Sequence, residues 1–381
     1  MIPSKNFPRF LVIGGGNGGR AMLAYIVNKG YHVDLFNRSI EKVREIKEEG
    51  GVWARGKLEG FYTVDRVSDQ FEELVPRSDM IVVVVPAFAH EDIAKGLAPH
   101  LKHGQTIILN PGRTFGALTF RRVLDQNWVS PDVFVGETQT LLFTSRALTG
   151  NGVEIHYIKD SVDLSCTPED KIFTLHSRIV DIFPQFRPVK DLLATSLNNI
   201  GCIFHPATTL LNASSIDRGK DLLFYKEGIS PNVAEVLGQI EKEISSVGEK
   251  LGIKIMRVVD WIDQTYGVRA PTIYEAIQQV KAYKNISAPV TLNTRYLLED
   301  VPTGLVPISS VASHIGVDTP TINAIIQLSG VVCGKDFWKE GRTVEKIGIR
   351  ETLRARAAAQ LRKSLTFEEK AEPESFFNQE N

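Results

Sequence analysis

Near the amino terminus, Gly14, Gly16 and Gly19 fall on a G-x-G-x-x-G spacing within Gly14-Gly15-Gly16-Asn17-Gly18-Gly19. Glycines so spaced serve phosphate binding: one makes a tight turn, one lets the backbone approach a pyrophosphate, and one lets a helix pack on a strand. Free N–H groups at the helix start then face the phosphates, where the helix dipole also favours negative charge. Units that prefer NAD place a carboxylate about 20 residues beyond such glycines, for the ribose 2′-hydroxyl. This chain has Asn37 there, followed by Arg38 and Ser39. A carboxylate repels a 2′-phosphate, whereas an amide, a guanidinium and a hydroxyl bind one, so NADP(H) is the predicted cofactor and NAD(H) the second choice.

Farther along, the chemistry-bearing side chains are sparser. Arg113 follows Asn110-Pro111-Gly112, Glu137 follows a short apolar run, and His205 precedes Pro206 within an apolar stretch. A lone histidine in such a stretch reads first as a satisfied core residue. Asn198, seven residues earlier, falls at nearly the same angle on a helix. Arg295 and Glu299 are one helical turn apart and can pair, which leaves Asp300 as the carboxylate of interest. His100 and His103 are close, but no third ligand is nearby in sequence, so no metal site is expected.

The elements that carry these residues first alternate and then become uniformly helical. Phe10–Ile13 reads as a strand, 20–29 as an amphipathic helix, and 31–39 as a second strand with Asp34 at the edge of the core. Residues 80–85 are unbroken apolar and mostly β-branched, as suits a parallel strand buried on both faces. That strand ends at Pro86, Thr106–Leu109 ends at Asn110-Pro111-Gly112-Arg113-Thr114, and 133–135 runs into Gly136-Glu137. Ligands of open α/β sheets gather at such carboxyl ends, so Pro86 and Gly112 are expected beside the nicotinamide. Two polar strands, 154–158 and 162–166, and a helix over 172–183 complete the alternation.

Beyond Lys190 no further strand is expected. Leu193, Leu197, Ile200, Phe204, Ala207 and Leu211 step by four and three, one face of a long buried helix that Pro206 is expected to kink. A short helix at 293–301 is expected to stop at Pro302, and a basic helix from Glu351, with Arg354, Arg356, Arg362 and Lys363, reads as a solvated face before a frayed end. The fold class is therefore α/β plus all-α. An N-terminal Rossmann dinucleotide-binding domain over 1–188 is followed by a helical domain over 189–381.

Composition narrows the partners. With 43% apolar and 23% charged residues and a formal net charge of -1, the chain has the balance of a globular protein and no basic footprint for nucleic acid or an anionic membrane. Cys166, Cys202 and Cys333 are odd in number and far apart, which suits a reducing compartment. No leader-like segment precedes the first strand and no apolar run reaches spanning length, so a cytoplasmic location is expected. The long apolar helices of the second half lead to the expectation of a homodimer.

Several of these motifs, in one order, resemble the octopine/nopaline (opine) dehydrogenase family over most of the chain. They are the glycine loop with Asn17 inside it, Asn110-Pro111-Gly112-Arg113-Thr114, Glu137-Thr138 with Leu141 and Arg146, His205-Pro206, and Arg295-Tyr296-Leu297 with Glu299-Asp300-Val301-Pro302. The resemblance implies a catalytic cleft between a Rossmann and an all-helical domain. It also implies reduction of the imine formed from a 2-oxo acid, such as pyruvate, and the amino group of an amino acid. It carries His205 over as general acid/base, Asp300 as the carboxylate that orients it, and Arg295 as a carboxylate anchor. Beyond what the resemblance carries over, Arg113 is a second candidate for a substrate carboxylate, Asn198 is a substrate-side candidate on the face of His205, and Glu137 can either contact substrate or finish a strand turn.

Two departures stand out. Leu142-Phe143-Thr144-Ser145 replaces the middle of the family's T-L-P-Y-A-C-R loop, and Gly201 stands where an asparagine is common four residues before the histidine. Asn198 is expected to take over that asparagine's hydrogen bond. The rival readings are a 2-hydroxy acid or ketopantoate-type dehydrogenase, which needs no amine, and a non-catalytic cofactor sensor. The ketopantoate group usually carries a lysine on its interdomain helix, and here the nearest is Lys190.

Overall fold

The computed structural model describes residues 8–130 and 132–371, with side chains as far as residue 362. The expectations for the first six residues, for the Lys363 side chain and for the tail beyond 371 fall outside it.

Strands β1 (Phe10–Ile13), β2 (Val33–Phe36), β3 (Gly51–Gly56), β4 (Gly60–Thr63), β5 (Arg66–Ser68), β6 (Met80–Val83), β7 (Thr106–Leu109), β8 (Phe134–Thr138), β9 (Phe143–Ala147), β10 (Gly152–Ile158), β11 (Val162–Thr167) and β12 (Phe186–Pro188) occupy the first half. They alternate with helices α1 (Asn17–Asn28), α2 (His90–Leu97), α3 (Gly116–Gln126) and α4 (Ile172–Ile179). The main sheet runs β12-β11-β8-β7-β6-β1-β2-β5 and is parallel except where β11 meets β8. Every residue of β1, β6 and β7 is buried, because one core fills the α1 and α4 side of the sheet and another the α2 and α3 side.

A second sheet, β4-β3-β10-β9, was not legible in the sequence. Its strands are short and partly exposed, so their apolar signal is thin. The two polar strands expected over 154–166 therefore part company: β10 belongs to this small sheet and β11 to the main one. Buried Arg20 on α1 joins the small sheet to the glycine turn. Its Nε donates to the Gly15 carbonyl at 3.0 Å and its Nη1 to the carbonyls of Gly150 (2.6 Å) and Gly152 (3.0 Å).

The second half carries α5 (Leu192–Leu197), α6 (Ile200–Leu211), α7 (Pro231–Leu251), α8 (Val258–Tyr266), α9 (Arg295–Leu298), α10 (Val306–Ile315), α11 (Pro320–Cys333) and α12 (Arg350–Ala371), around a core of its own. The expected long helix over 193–211 is in fact two helices, α5 and α6, broken at Asn198-Asn199. Leu211 ends the apolar stripe half exposed rather than buried. Pro206 sits inside α6. Nor does Pro302 stop a helix: it lies in a π-helical turn, Val301–Leu305, that leads directly into α10. On α12, Arg356 is no solvated charge. It pairs through both Nη atoms with Asp191, the N-cap of α5, and its Nε donates to the Leu251 carbonyl.

Candidate active site

The cofactor side is built from backbone. Gly14 adopts φ +107°, a conformation that strains any other residue, and a Cβ there would stand 2.6 Å from the Val84 carbonyl oxygen. At Gly19 a Cβ would stand 1.6 Å from the Gly14 carbonyl oxygen, so α1 packs on the turn at a distance only glycine permits. At Gly16, the N-cap of α1, nothing lies within 4 Å of where a Cβ would be. No side chain caps α1 and no acidic residue lies in its first turn. An open face over uncapped N–H groups fits a dinucleotide pyrophosphate.

The remaining cofactor-side residues sort into two groups. Asn37 frames the loop: its Oδ1 accepts from the Gly15 N–H at 2.9 Å and its Nδ2 donates to the Ser39 carbonyl at 2.7 Å, while Arg38 beside it is exposed. Asn17 instead works on β9, where its Oδ1 accepts from the Ala147 N–H at 2.9 Å. That bond spends its side chain on the small sheet.

Pro86 and Gly112 follow the carboxyl ends of β6 and β7, and the loops they open are held by a residue the sequence reading missed. Arg342, in the segment between α11 and α12, is buried. Its Nη1 donates to the carbonyls of Gly112 (3.2 Å) and Thr114 (2.9 Å), and its Nη2 to the Ala87 carbonyl (2.8 Å) and His90 Nδ1 (2.9 Å). Burial draws the Arg342 guanidinium down to about 10 against nearby carboxylates, of which Glu137 counts most. Burial, then Arg342 and Arg113, push the His90 imidazole well below its ordinary value, so it stays a neutral acceptor.

Glu137 lies beneath this joint rather than in the cleft. Its Oε2 accepts from the Ala117 N–H at 2.7 Å and its Oε1 from the Ser196 hydroxyl, and a Cβ on Gly112 would stand 2.5 Å from the Glu137 Cβ. Burial pushes its carboxyl up to about 7, although both donors pull the other way. The expectation that Glu137 meets substrate is corrected accordingly: both carboxylate oxygens are taken by protein donors that pin α3 and α5 together.

The opposite wall is built from side chains. His205 on α6 donates from Nδ1 to Asp300 Oδ2 at 2.8 Å, and its Nε2 stands 3.2 Å from the Tyr225 hydroxyl. Tyr296 stacks on the ring, with centroids 4.3 Å apart and planes 20° from parallel. The Asp300 Oδ1 faces Arg113 Nη1 at 3.2 Å. Burial raises the Asp300 carboxyl, but Arg113 and then His205 more than offset it and hold the group below its ordinary range. An ionised Asp300 leaves Nδ1 as the donor and turns Nε2 toward the Tyr225 hydroxyl.

Arg113 reaches Asp300 across Gly201, where a Cβ would stand 2.6 Å from its Nη1. Gly201 thus replaces an amide with room for a guanidinium. Buried Glu299 ties the cleft together: its Oε1 accepts from the Ala87 N–H at 3.0 Å and faces Arg113 Nε at 3.5 Å, while its Oε2 accepts from Arg295 Nε at 2.6 Å. Arg295 is therefore joined to Glu299 as its spacing allows, but the carboxylate is buried and belongs to the cleft.

Asn198 stands apart from His205. Its Nδ2 donates to the Ala194 carbonyl (2.8 Å) and its Oδ1 accepts from the Met256 N–H (2.7 Å), so it terminates α5 rather than taking over a bond to the histidine. A cavity of about 240 Å³ opens between the domains, lined by Gln139, Thr140 and Lys159 on one side and Met256, Trp261 and Gln264 on the other. Among the described residues no group of His, Cys, Asp and Glu could hold a metal ion, and no helix is long and apolar enough to cross a membrane.

Comparison with known proteins agrees with this architecture. Residues 188–333 match the family model described as the alpha-helical domain of NAD/NADP octopine/nopaline dehydrogenase, and residues 9–115 that of the NAD binding domain of 6-phosphogluconate dehydrogenase. An opine dehydrogenase from Arthrobacter sp. (strain 1C) is 39% identical over 350 residues, covering 92% of this chain and 96% of that protein. Octopine dehydrogenase solved with NADH and L-arginine superposes with a TM-score of 0.75 at 22% identity, covering 90% of this chain and 96% of that one. Yersinopine dehydrogenase solved with NADP+ bound superposes at 0.73 and 17% identity, over 94% and 99%. A dinucleotide-binding sheet, a helical second domain and a near full-length relative converge: the chain belongs to the octopine/nopaline dehydrogenase family, as an NAD(P)-dependent opine dehydrogenase that acts on CH–NH bonds and joins a 2-oxo acid reductively to the amino group of an amino acid.

Proposed function

We propose that His205 is the general acid/base of this reaction, that Asp300 orients it, and that NADP(H) is the preferred cofactor. The observation that carries the reading is the buried Arg113–Asp300–His205 relay facing the cleft. Amine and 2-oxo acid condense with loss of water, which requires a group that takes a proton from the attacking amine and returns one to the departing hydroxyl. An imidazole both accepts and donates a proton, and His205 does both through Nε2. Asp300 stabilises the imidazolium between the two transfers, and Arg113 keeps Asp300 ionised. Tyr225, whose hydroxyl burial pushes well above its ordinary value, stays neutral and holds Nε2 in place. Bound NAD(P)H supplies the hydride that reduces the imine.

Arg295 uses Nε and Nη2 on Glu299, and among the described residues its Nη1 has no partner, so Nη1 serves a substrate carboxylate. The preference for NADP(H) over NAD(H) is supported by an amide, not a carboxylate, at the end of β2 and by exposed Arg38 next to it. A homodimer is supported by Leu328, Val331 and Val332 exposed on α11 with Trp338 just beyond, a patch that light scattering in solution tests. The free cysteines support a cytoplasmic location.

The decisive experiment is oxidation of NADPH and NADH by the purified protein with pyruvate and other 2-oxo acids, each with and without amino acids. Oxidation that needs both substrates and runs better with NADPH is expected. Oxidation with a 2-oxo acid alone would move the protein to the hydroxy-acid class, and none with any pair would favour the sensor.

A further inference from the structure

We propose that Lys159 is a carboxylate anchor of the cleft and holds one of the two α-carboxylates that the substrates bring. The proposal rests on the opine dehydrogenase reading, which requires sites for both a 2-oxo acid and an amino acid. The other cations of the cleft are already committed. Arg113 faces Asp300 and Glu299, and Arg295 pairs with Glu299, so these two guanidiniums and two carboxylates cancel in charge. Arg295 can serve one substrate carboxylate through its remaining nitrogen. The second then lacks an uncompensated positive partner.

Lys159 supplies it. The residue follows β10, is half-buried, and lines the interdomain cavity. Its Nζ donates to the Thr140 hydroxyl at 2.8 Å and to the Leu141 carbonyl at 2.8 Å, both uncharged oxygens. An ammonium has three donors, and among the described residues those of Lys159 meet only these two neutral oxygens and no carboxylate. Lysines removed from bulk water are ordinarily paired, so an unpaired one on a cavity wall is a place prepared for an anion.

The surroundings agree. Among the other ionisable groups lining the cavity, Arg187 pairs with Asp163 at 2.8 Å, while Asp160 accepts from the Tyr157 hydroxyl at 2.7 Å. Burial, and secondarily the positive charge of Arg113, draw the Lys159 ammonium down to about 7. A carboxylate that settles beside the Lys159 ammonium offsets both effects on it.

The test is a comparison of wild type, Lys159→Gln and Lys159→Arg, as holoenzyme saturated with NADPH, titrated separately with pyruvate and with the amino acid that supports the fastest turnover. Lys159→Gln is expected to raise the KM of one of the two by about 10- to 100-fold, the range for losing a hydrogen bond to a charged group. Which KM moves identifies the carboxylate's source. NADPH binding should stay within about twofold, and Lys159→Arg should restore most of the loss. In the wild type that same KM should climb as pH rises above about 7 and the ammonium discharges, and Lys159→Arg should abolish the climb because a guanidinium stays charged.

Unchanged KM values for both substrates in Lys159→Gln would overturn the proposal. So would a loss of kcat and NADPH affinity at constant KM, the signature of a mere prop for the 139–142 loop. Should Lys159→Gln not fold, the pH profiles of wild type and Lys159→Arg decide alone. Wild-type turnover without any amine would sink the opine reading instead, and the pyruvate arm would still decide whether Lys159 binds a carboxylate.

Discussion

The glycine turn makes a binding surface from six consecutive residues and almost no side chains, whereas the His205 centre gathers side chains from residues 113, 205, 225, 295, 299 and 300. The turn depends on what is missing: open space at Gly16, a close approach at Gly19. The histidine centre depends on charges that hold one another, with Arg113, Asp300 and Glu299 all buried or nearly so. One region is sensitive to added volume and the other to a lost partner. The two should fail separately, and variants can show whether they do.

The largest effect is expected from His205→Ala, with turnover reduced by about 10²–10⁴-fold, the usual worth of general acid/base catalysis. NADPH affinity, read by fluorescence titration, should be unaffected; a parallel loss of affinity would mean that the two walls are not separable. Next comes the joint between them. Because the Glu137 carboxyl is raised in the folded protein, from an ordinary value of 4.5 to about 7, its contribution to stability is fully present below the unfolded value and is lost as pH rises toward 7. At roughly 1.4 kcal/mol per unit that is at most about 3.5 kcal/mol. Urea denaturation between pH 4.5 and 8 should show the decline in the wild type and a flatter curve in Glu137→Gln.

Gly16→Ala sharpens the other side. The open face admits a Cβ without clash, so Tm should hold, while NADPH affinity should drop about tenfold as the methyl enters the space of a pyrophosphate, roughly 1.4 kcal/mol. The smallest effect is expected from Asn37→Asp. It keeps the bond from the Gly15 N–H, loses the bond to the Ser39 carbonyl, and brings a negative charge to the ribose site. The ratio of kcat/KM for NADPH over NADH should shift several-fold toward NADH. An unchanged ratio would mean that Asn37 shapes the loop without reading the ribose.

The same contrast governs what could be read in advance. The glycine pattern is local: strand, turn and helix are contiguous, and the spacing itself encodes the close approach. The pairing of His205 with Asp300 is not local, and the residues alone left His205 as a core histidine until a family likeness joined the two motifs. The break between α5 and α6 was invisible because the apolar steps of four and three continue through Asn198. At the interruption Asn198 turns to tertiary partners, its Oδ1 accepting from the Met256 N–H and its carbonyl from Gln139. Glu137 was misplaced for a related reason: a carboxylate at a strand end can turn toward the ligand or under the loop, and only Ala117 and Ser196 decide which. Arg342 gave no signal at all, being one arginine in a polar segment far from everything it holds.

That arginine also sets an order of events during synthesis. The carbonyl of Gly112 accepts from a guanidinium 230 residues later in the chain. Ribosomes add about 5–20 residues per second, so on the order of 10–50 seconds separate the emergence of the cofactor-side loops from that of the residue that fastens them. For the part of that interval after β12 has emerged, the nucleotide-binding sheet has all its strands but not its final latch. The mouth of the cleft acquires its finished width only once Arg342 has left the ribosome.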